Sequence, residues 1–347
     1  MKKGKHLYTA IGGAIGMLLL ILDSKTAIAG ASEGMDLCIR SVIPSLFPFL
    51  TMSCLITGSL HGKRLPLLGG LCRLCGIPAG ADPLLVVGLL GGYPAGAQAI
   101  CQAYQAKKLD RHDAARLLGF CSNAGPAFIL GLGMQLFPSV SWAWALWGVH
   151  IVSSLLVGIL LPGRSKNHAK TGDYPGISLS AAVSGSVKTM SVICGWIVLF
   201  RVLLRILRRW VLWLLPDLVQ VLLCGALELT NGFLYLSDIA DMGIRFILSS
   251  CMLSFGGICI LLQTVSVTED LGLGLYFPGK ILQTVLSFFL STVVMMIHEP
   301  SGYILTLLSP IVLWSMLLAL FLTLFLLKKK KTVAFQKNVV YNKQKFS

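Results

Sequence analysis

Long apolar runs alternate with short polar stretches along most of the chain. A helix needs about 20 mostly apolar residues to cross the hydrocarbon core of a bilayer. Ten segments have this character, at about residues 7–22, 36–60, 83–104, 117–137, 142–161, 178–207, 211–236, 244–267, 278–297 and 303–327. The pattern therefore predicts an all-α polytopic membrane protein.

Composition supports the same class and excludes others. Hydrophobic residues make up 55% of the 347 residues and charged residues only 12%, against about 25% charged in soluble proteins. The net charge of +15 does not indicate nucleic-acid binding, because the basic residues fall in short loops and at the ends of apolar runs, as the positive-inside rule describes. The longest polar stretch, about residues 163–176, is too short to fold alone.

The basic clusters give a topology. Four of them are taken as cytoplasmic: His61–Arg64, Lys107–Arg116, Arg164–Lys170 and Lys328–Lys331. The third segment must then enter and leave on one side, and one of the five segments between Lys170 and Lys328 must do the same. The seventh segment is taken as that one, because it is the counterpart of the third. This arrangement predicts about eight transmembrane helices plus two re-entrant or broken helices, in two weak inverted repeats, with both termini cytoplasmic. Arg205, Arg208 and Arg209 oppose it, because they would lie at the outer end of the sixth segment.

The predicted organisation has six parts. They are an N-terminal transmembrane helix (1–35), a first repeat (36–163), a cytoplasmic loop (164–178), a second repeat (179–298), a C-terminal transmembrane helix with a basic stop (299–331) and a polar tail (332–347). The Ala27-Ile-Ala29 sequence also fits a signal-peptidase site. A cleaved signal peptide is therefore the alternative to a retained first helix.

The third segment contains an unusual stretch, Gly88–Gln98, with four glycines and a proline inside an apolar run. Glycine and proline are poor in helix interiors, by about 1 and 3 kcal/mol. We expect a broken helix whose backbone lines a cavity. The alternative is a glycine-rich face for close helix packing. Comparable interruptions recur at Cys121–Pro126, Gly225–Gly232 and Ser254–Gly257.

Glu228 is the one acid well inside an apolar segment. Charge at membrane depth usually faces a partner or a cavity, so Glu228 is predicted either to bind a solute or coupling ion, or to form an ion pair with Arg201 or Arg205. The full candidate solute site collects the residues at the interruptions: Gly91, Gly92, Tyr93, Pro94, Gly96, Gln98, Ser122, Asn123, Glu228, Thr230, Asn231, Gly256 and Gly257. The alternative role for the polar members is to satisfy loose backbone groups.

Nothing in the sequence favours catalysis, a cofactor or a metal. No Ser-His-Asp pattern, P-loop or H-E-x-x-H is present. Cys72-Arg-Leu-Cys75 has no second pair of ligands, whereas a zinc site needs four. His150 is interpreted as a packed, hydrogen-bonded helix residue rather than a proton relay.

Five motifs then resemble a known family. They are Ser45-Leu-Phe-Pro-Phe49, Gly91-Gly-Tyr-Pro-Ala-Gly-Ala97, Asn123-Ala-Gly-Pro126, Leu227-Glu-Leu-Thr-Asn-Gly232 and Phe255-Gly-Gly257. Their order resembles the YlbJ-type sporulation integral membrane proteins, of the "nucleoside recognition" or Gate-domain group. The family pattern has serine where this chain has Gly91 and lysine where it has Gln98, which removes a hydroxyl and a charge.

The resemblance implies a role in sporulation, notably in the spore envelope and its cortex, and Gate-like repeats. We therefore predict a cytoplasmic-membrane protein that moves a small polar solute. The alternatives are a non-transporting scaffold for an envelope-building assembly and, more weakly, an enzyme acting on a lipid-linked intermediate. The expected partners are membrane lipid, an unknown solute and other sporulation membrane proteins, but no nucleic acid.

Overall fold

The computed structural model describes residues 2–60, 65–163, 177–268 and 271–298. The regular elements of this part are helices, which confirms the all-α prediction. The first half contains α1 (Lys2–Leu22), α2 (Ser24–Leu37), α3 (Ile43–Leu60), α4 (Gly69–Leu74), α5 (Asp82–Leu90), α6 (Ala95–Gln105), α7 (Arg111–Leu117), α8 (Pro126–Leu136) and α9 (Val140–Leu160). The second half contains α10 (Leu179–Trp210), α11 (Asp217–Leu227), α12 (Leu229–Leu236), α13 (Met242–Phe255), α14 (Gly257–Val267) and α15 (Tyr276–His298).

Five stretches within the described residues are long and apolar enough to cross a membrane. They are Ser24–Leu60, Val140–Leu160, Leu179–Trp210, Met242–Val267 and Tyr276–His298. Ala10–Leu22, Pro126–Leu136 and Asp217–Leu227 are apolar but shorter. The chain is thus a multi-pass membrane protein, while the predicted count of about eight spans stays a prediction. The loops His61–Arg64 and Arg164–Lys170, the last predicted span, the basic stop and the tail lie outside the described residues.

The second predicted segment begins earlier than the hydrophobic pattern indicated. Helical structure runs from Ser24 to Leu60, across the predicted boundary at residue 36. It passes through Pro48 and contains a π-helical turn at Cys38–Val42, just before Pro44. The two prolines therefore coincide with a local change of helical geometry rather than a break.

The glycine-rich stretch of the third segment breaks the helix as predicted. α5 ends at Leu90 and α6 begins at Ala95, and Gly92 has a φ of +80°, which disfavours other residues. The flanking glycines pack closely, since a Cβ at Gly96 would lie 3.0 Å from the Cα of Gly88. The stretch is therefore broken at its centre and closely packed at its flanks, whereas a cavity lined by its backbone stays a prediction.

The seventh segment repeats this design. α11 and α12 are separated at Glu228, and a Cβ at Gly232 would lie only 2.3 Å from the Cα of Gly225. Each pair of short helices therefore approaches at a glycine contact that any side chain would obstruct.

We call α5–α6 the first hairpin and α11–α12 the second. Two further interruptions pack against these hairpins. In the first half, residues 121–125 form no helix before Pro126 opens α8, and a Cβ at Gly92 would lie 3.5 Å from the amide nitrogen of Gly125. In the second half, Gly256 separates α13 from α14 in a left-handed conformation, and a Cβ at Gly257 would lie 3.1 Å from the carbonyl oxygen of Gly225. The same order of interruptions occurs in both halves.

Two long helices join the halves. α10 packs against α2 and α3, and α15 packs against α9 and α13. The start of α15 also approaches the turn after α7, where a Cβ at Gly279 would lie 2.0 Å from the carbonyl oxygen of Gly119. This close approach brings the next residue, Lys280, against the interrupted segment of the first half.

Candidate solute site at the interrupted helices

Asn123 lies at the centre of the first-half interruption and is fully buried. Its side-chain nitrogen donates to the carbonyl oxygens of Gly88 (3.0 Å) and Phe120 (2.7 Å) and to the Ser154 hydroxyl (3.0 Å). The amide thus satisfies backbone groups that the interruption releases, which was the alternative role predicted for it. Its side-chain oxygen faces the second half of the protein.

Lys280 of α15 approaches that oxygen. Its Nζ donates to the Asn123 Oδ1 (3.4 Å), the Tyr93 hydroxyl (3.1 Å) and the Gln283 Oε1 (2.7 Å). It also lies 4.9 Å from the centre of the Tyr93 ring, a cation–π distance. The lysine is 1% exposed, and all three of these oxygens belong to neutral groups. A buried ammonium without a carboxylate is costly, and ionisable residues at membrane depth are usually functional.

Gln283 and His150 extend the cluster. The Gln283 Nε2 donates to the Asn123 Oδ1 (3.1 Å) and to the His150 carbonyl oxygen (3.2 Å). The His150 Nε2 accepts from the Ala124 amide (3.1 Å), so this nitrogen carries no proton. His150 is therefore a packed helix residue that fixes the interruption, as the sequence indicated.

Tyr93 connects the cluster to the second half. Its hydroxyl donates to the Leu253 carbonyl oxygen (3.0 Å) at the end of α13. Gly256 faces the same ring, because a Cβ there would lie 3.7 Å from the Tyr93 hydroxyl. The first hairpin and the broken helix of the second half are thus in direct contact.

Glu228 has a different set of partners from those predicted. It is 3% exposed and caps α12, accepting from the amides of Thr230 (3.0 Å) and Asn231 (2.8 Å) and from the Asn231 Nδ2 (2.6 Å). A carboxylate at a helix N-terminus is favoured by the orphan amides and the helix dipole.

The predicted ion pair of Glu228 with Arg201 or Arg205 is corrected by the structure. Both arginines form ion pairs with Glu33 of α2, that of Arg201 measuring 3.2 Å. Glu33 lies in a region that the sequence assigned to the N-terminal helix. The pairing follows from which helix packs against the arginine-bearing face of α10, and that helix is α2.

A small cavity of about 40 Å³ lies where the two hairpins meet. Its lining includes Tyr93 and Gly125 from the first half and Glu228, Thr230 and Gln263 from the second. Pockets for drug-sized ligands measure about 300–1,000 Å³, so this cavity holds at most a water molecule or an ion. The described conformation is therefore closed around the junction.

The remaining predicted residues fall into three groups. Gly91, Gly92, Pro94 and Gly96 form the first interruption and its packing contact, and Gly257 packs on the end of α11. Ser122 is buried, and its hydroxyl has no hydrogen-bond partner among the described residues. Gln98 borders a separate cleft beside α3, and Asn231 also borders a second cavity at the end of α10. The structure does not place these last two at the junction cavity.

The sequence interpretation missed Lys280 and Gln283. Lys280 lies near the start of the ninth segment and was assigned no role from the sequence. A signal was present, because buried polar residues recur along one face of α15 at helical spacing: Lys280, Gln283, Ser287 and Ser291. Such a polar stripe within an apolar helix indicates a face directed toward the protein interior.

Cys72 of α4 and Cys75 just after it are both buried. Burial, the main cause, raises the pKa of Cys72 to about 12, so its thiol is protonated at neutral pH and a metal would have to displace that proton. The Cys75 thiol donates to the Leu155 carbonyl oxygen (3.8 Å). Both side chains act as small buried packing groups.

Comparison with known proteins gives one informative match. No protein-family model matches the chain, and no solved structure matches it significantly. The chain is 25% identical over 332 aligned residues to the sporulation integral membrane protein YlbJ of Bacillus subtilis (strain 168). The match covers 81% of this chain and 80% of that relative.

Proposed function

The chain is YlbJ-like over 81% of its length, and from this premise we propose that it acts in sporulation as a transporter-like protein for a small polar solute. The observation that carries the proposal is the meeting of two interrupted hairpins at a buried polar junction. Interrupted helices that pair across two halves are typical of secondary transporters, whose sites lie between the halves. The sporulation role rests on the relative's description and on the motifs.

In this proposal Lys280 contributes the recognition charge. Its ammonium is held by Tyr93, Asn123 and Gln283, neutral groups that orient it without neutralising it. An anionic group on the solute would complement this charge. Glu228 and Thr230 line the junction cavity together with Tyr93. Lys280 lies behind that lining and contacts it through the Tyr93 hydroxyl.

Transport would require the two halves to separate at the junction. The cavity of about 40 Å³ fits an occluded conformation, and rocking of one repeat against the other would expose it alternately to each side. This step assumes that the halves are inverted repeats, for which the common order of interruptions is the support. The cytoplasmic position of both termini belongs to the same proposal.

A scaffold for an envelope-building assembly is the second candidate. It is favoured by the closed junction, in which Asn123 and Glu228 both bond backbone groups. On this view the glycine contacts are packing devices, and no solute enters.

Uptake by reconstituted vesicles separates the two candidates. Purified protein is placed in liposomes and offered labelled nucleosides, dicarboxylates and sugar phosphates. We expect uptake of a member of this panel, reduced about tenfold or more by Tyr93→Phe, because a hydrogen bond to a charged group contributes about 1.5–3 kcal/mol. Tyr104→Phe on α6 is the matched control, since Tyr104 lies outside the cluster and is half-buried.

Two results would reject the transport proposal. One is the absence of uptake for the whole panel by protein that is correctly folded and inserted. The other is equal uptake by the Tyr93→Phe and Tyr104→Phe variants. If spore formation nevertheless depends on the protein, the scaffold function is favoured.

A further inference from the structure

A second and larger cavity lies at the C-terminal end of α10, beside α2 and α12. Its volume is about 520 Å³, which is within the range of ligand pockets. Four arginines of α10 line it: Arg201, Arg205, Arg208 and Arg209. Their spacing of four, three and one residues places them along one side of the helix.

The arginines are only partly neutralised. Glu33 pairs with both Arg201 and Arg205, and Asp23 lies 3.4 Å from the Arg209 Nε. Four guanidinium groups and these two carboxylates leave a formal charge of +2. The cavity is therefore suited to an anion.

Arg208 is held by an uncharged residue. Its NH1 donates to the Tyr235 hydroxyl (2.6 Å), and its guanidinium lies 4.5 Å from the centre of the Tyr235 ring. Stacking fixes the guanidinium plane without neutralising it. Arg208 is exposed, and such a preorganised fork can bind two oxygens of a phosphate.

The residues after the arginines indicate their depth. Trp210 and Trp213 are 52% and 65% exposed, and Leu214 is 63% exposed. Exposed tryptophan beside exposed leucine is typical of the level of the lipid head groups. Leu199 of α10 and Ile28 of α2 are also exposed and offer apolar surface on the two helices that border the cavity.

We propose that this arginine cavity binds the phosphate of an anionic phospholipid head group. The charge, the volume and the head-group depth all point to it, because basic pockets between membrane helices bind such head groups. The acyl chains would lie on the exposed apolar surface of α2 and α10. This site does not depend on the proposed transport function.

The test measures lipid retention by purified full-length protein in detergent. The protein is delipidated, titrated with phosphatidylglycerol or phosphatidylcholine, and examined by native mass spectrometry. We expect phosphatidylglycerol to bind and phosphatidylcholine to bind much more weakly. The double variant Arg208→Gln/Arg209→Gln should bind phosphatidylglycerol about thirtyfold more weakly, from about 1 kcal/mol for each arginine.

The matched control removes two exposed arginines elsewhere, Arg40 and Arg111, as Arg40→Gln/Arg111→Gln. It loses the same net charge and should retain phosphatidylglycerol as the unmodified protein does. The thermal unfolding midpoint of each variant is measured to show that it is folded. Arg208→Lys keeps the charge but loses the forked guanidinium, and we expect its affinity for phosphatidylglycerol to be intermediate.

The proposal is overturned if the two double variants lose phosphatidylglycerol equally or not at all. A separate arm titrates inorganic phosphate and glycerol phosphate without lipid. Binding of these as tight as that of the lipid, with the same dependence on Arg208 and Arg209, would identify a free-phosphate site and reject the lipid as the occupant.

Discussion

Replacement of Lys280 by methionine tests the central feature of the junction. Methionine has a similar length and flexibility but neither charge nor donors. The change removes three hydrogen bonds, to the Tyr93 hydroxyl, the Asn123 Oδ1 and the Gln283 Oε1. It also removes an ammonium that is 1% exposed.

The structure allows the effect on stability to be weighed. The Tyr93 hydroxyl still donates to the Leu253 carbonyl oxygen, and the Asn123 Oδ1 still accepts from the Gln283 Nε2. The Gln283 Oε1 is the acceptor that loses its 2.7 Å donor, at a cost of about 1–3 kcal/mol. Burial of a charged group costs several kcal/mol, and this penalty disappears. We therefore expect the free energy of unfolding to change by less than about 2 kcal/mol or to rise.

Solute uptake should fall in the Lys280→Met variant even though the stability of the protein changes little or rises. If Lys280 binds the solute, its loss removes a charge-assisted interaction of about 1.5–3 kcal/mol and lowers uptake by about tenfold or more. The assay combines vesicle uptake, mature spore counts in the native host and thermal unfolding in detergent. Lys188→Met is the control, because Lys188 is an exposed lysine of α10, and it should leave all three measurements unchanged.

The reasoning is refuted if Lys280→Met lowers the free energy of unfolding by more than about 3 kcal/mol while the folded fraction transports normally. That result would make Lys280 a structural residue whose bonds to the junction outweigh its desolvation cost.

Three further changes test the fold. Gly96→Ala should destabilise the protein by about 3 kcal/mol or more in thermal unfolding, because its Cβ would lie 2.0 Å from a backbone carbonyl oxygen. Gly148→Ala is the control and should be neutral or stabilising, because a Cβ there would have no atom within 4 Å. Arg116→Met should cost about 3 kcal/mol or more in the same assay, since the buried guanidinium donates to four backbone carbonyls. The pKa of Asp23 is lowered, first by the hydrogen bond from the Trp210 indole, so its carboxylate stabilises the fold above the ordinary pKa, and this stability is lost as the pH falls through the lowered value. Unfolding midpoints between pH 6 and pH 3 should therefore fall more steeply for the unmodified protein than for Asp23→Asn.

Each of these expectations has a contradicting outcome. Equal midpoints for the two glycine variants would mean that the first hairpin is packed differently. An Arg116→Met protein as stable as the unmodified one would show that the carbonyl contacts are replaceable by water. Parallel pH profiles for the unmodified protein and Asp23→Asn would show that Asp23 titrates alike in the folded and unfolded states.

Local chemistry let the sequence predict much of the fold. The apolar runs identified helices of a membrane protein, and the breaks at Gly91–Pro94, Asn123–Pro126, Glu228 and Gly256 were all located from glycine, proline and polar residues. These features depend on backbone preferences of the residues themselves. They needed no knowledge of neighbouring helices.

Partner choice was decided only by the tertiary structure. Glu228 was expected to pair with arginine, but it caps α12, and Arg201 and Arg205 pair with Glu33 instead. Lys280 was assigned no role from the sequence, and the close contact at Gly279 is what brings it against Asn123. The sequence of a helix determines the spacing of side chains along it. It does not determine which neighbouring helix each face contacts, because those contacts depend on how helices distant in sequence pack together. The positions of the breaks therefore follow from the sequence alone. The polar junction between them depends on how the helices pack in the tertiary structure.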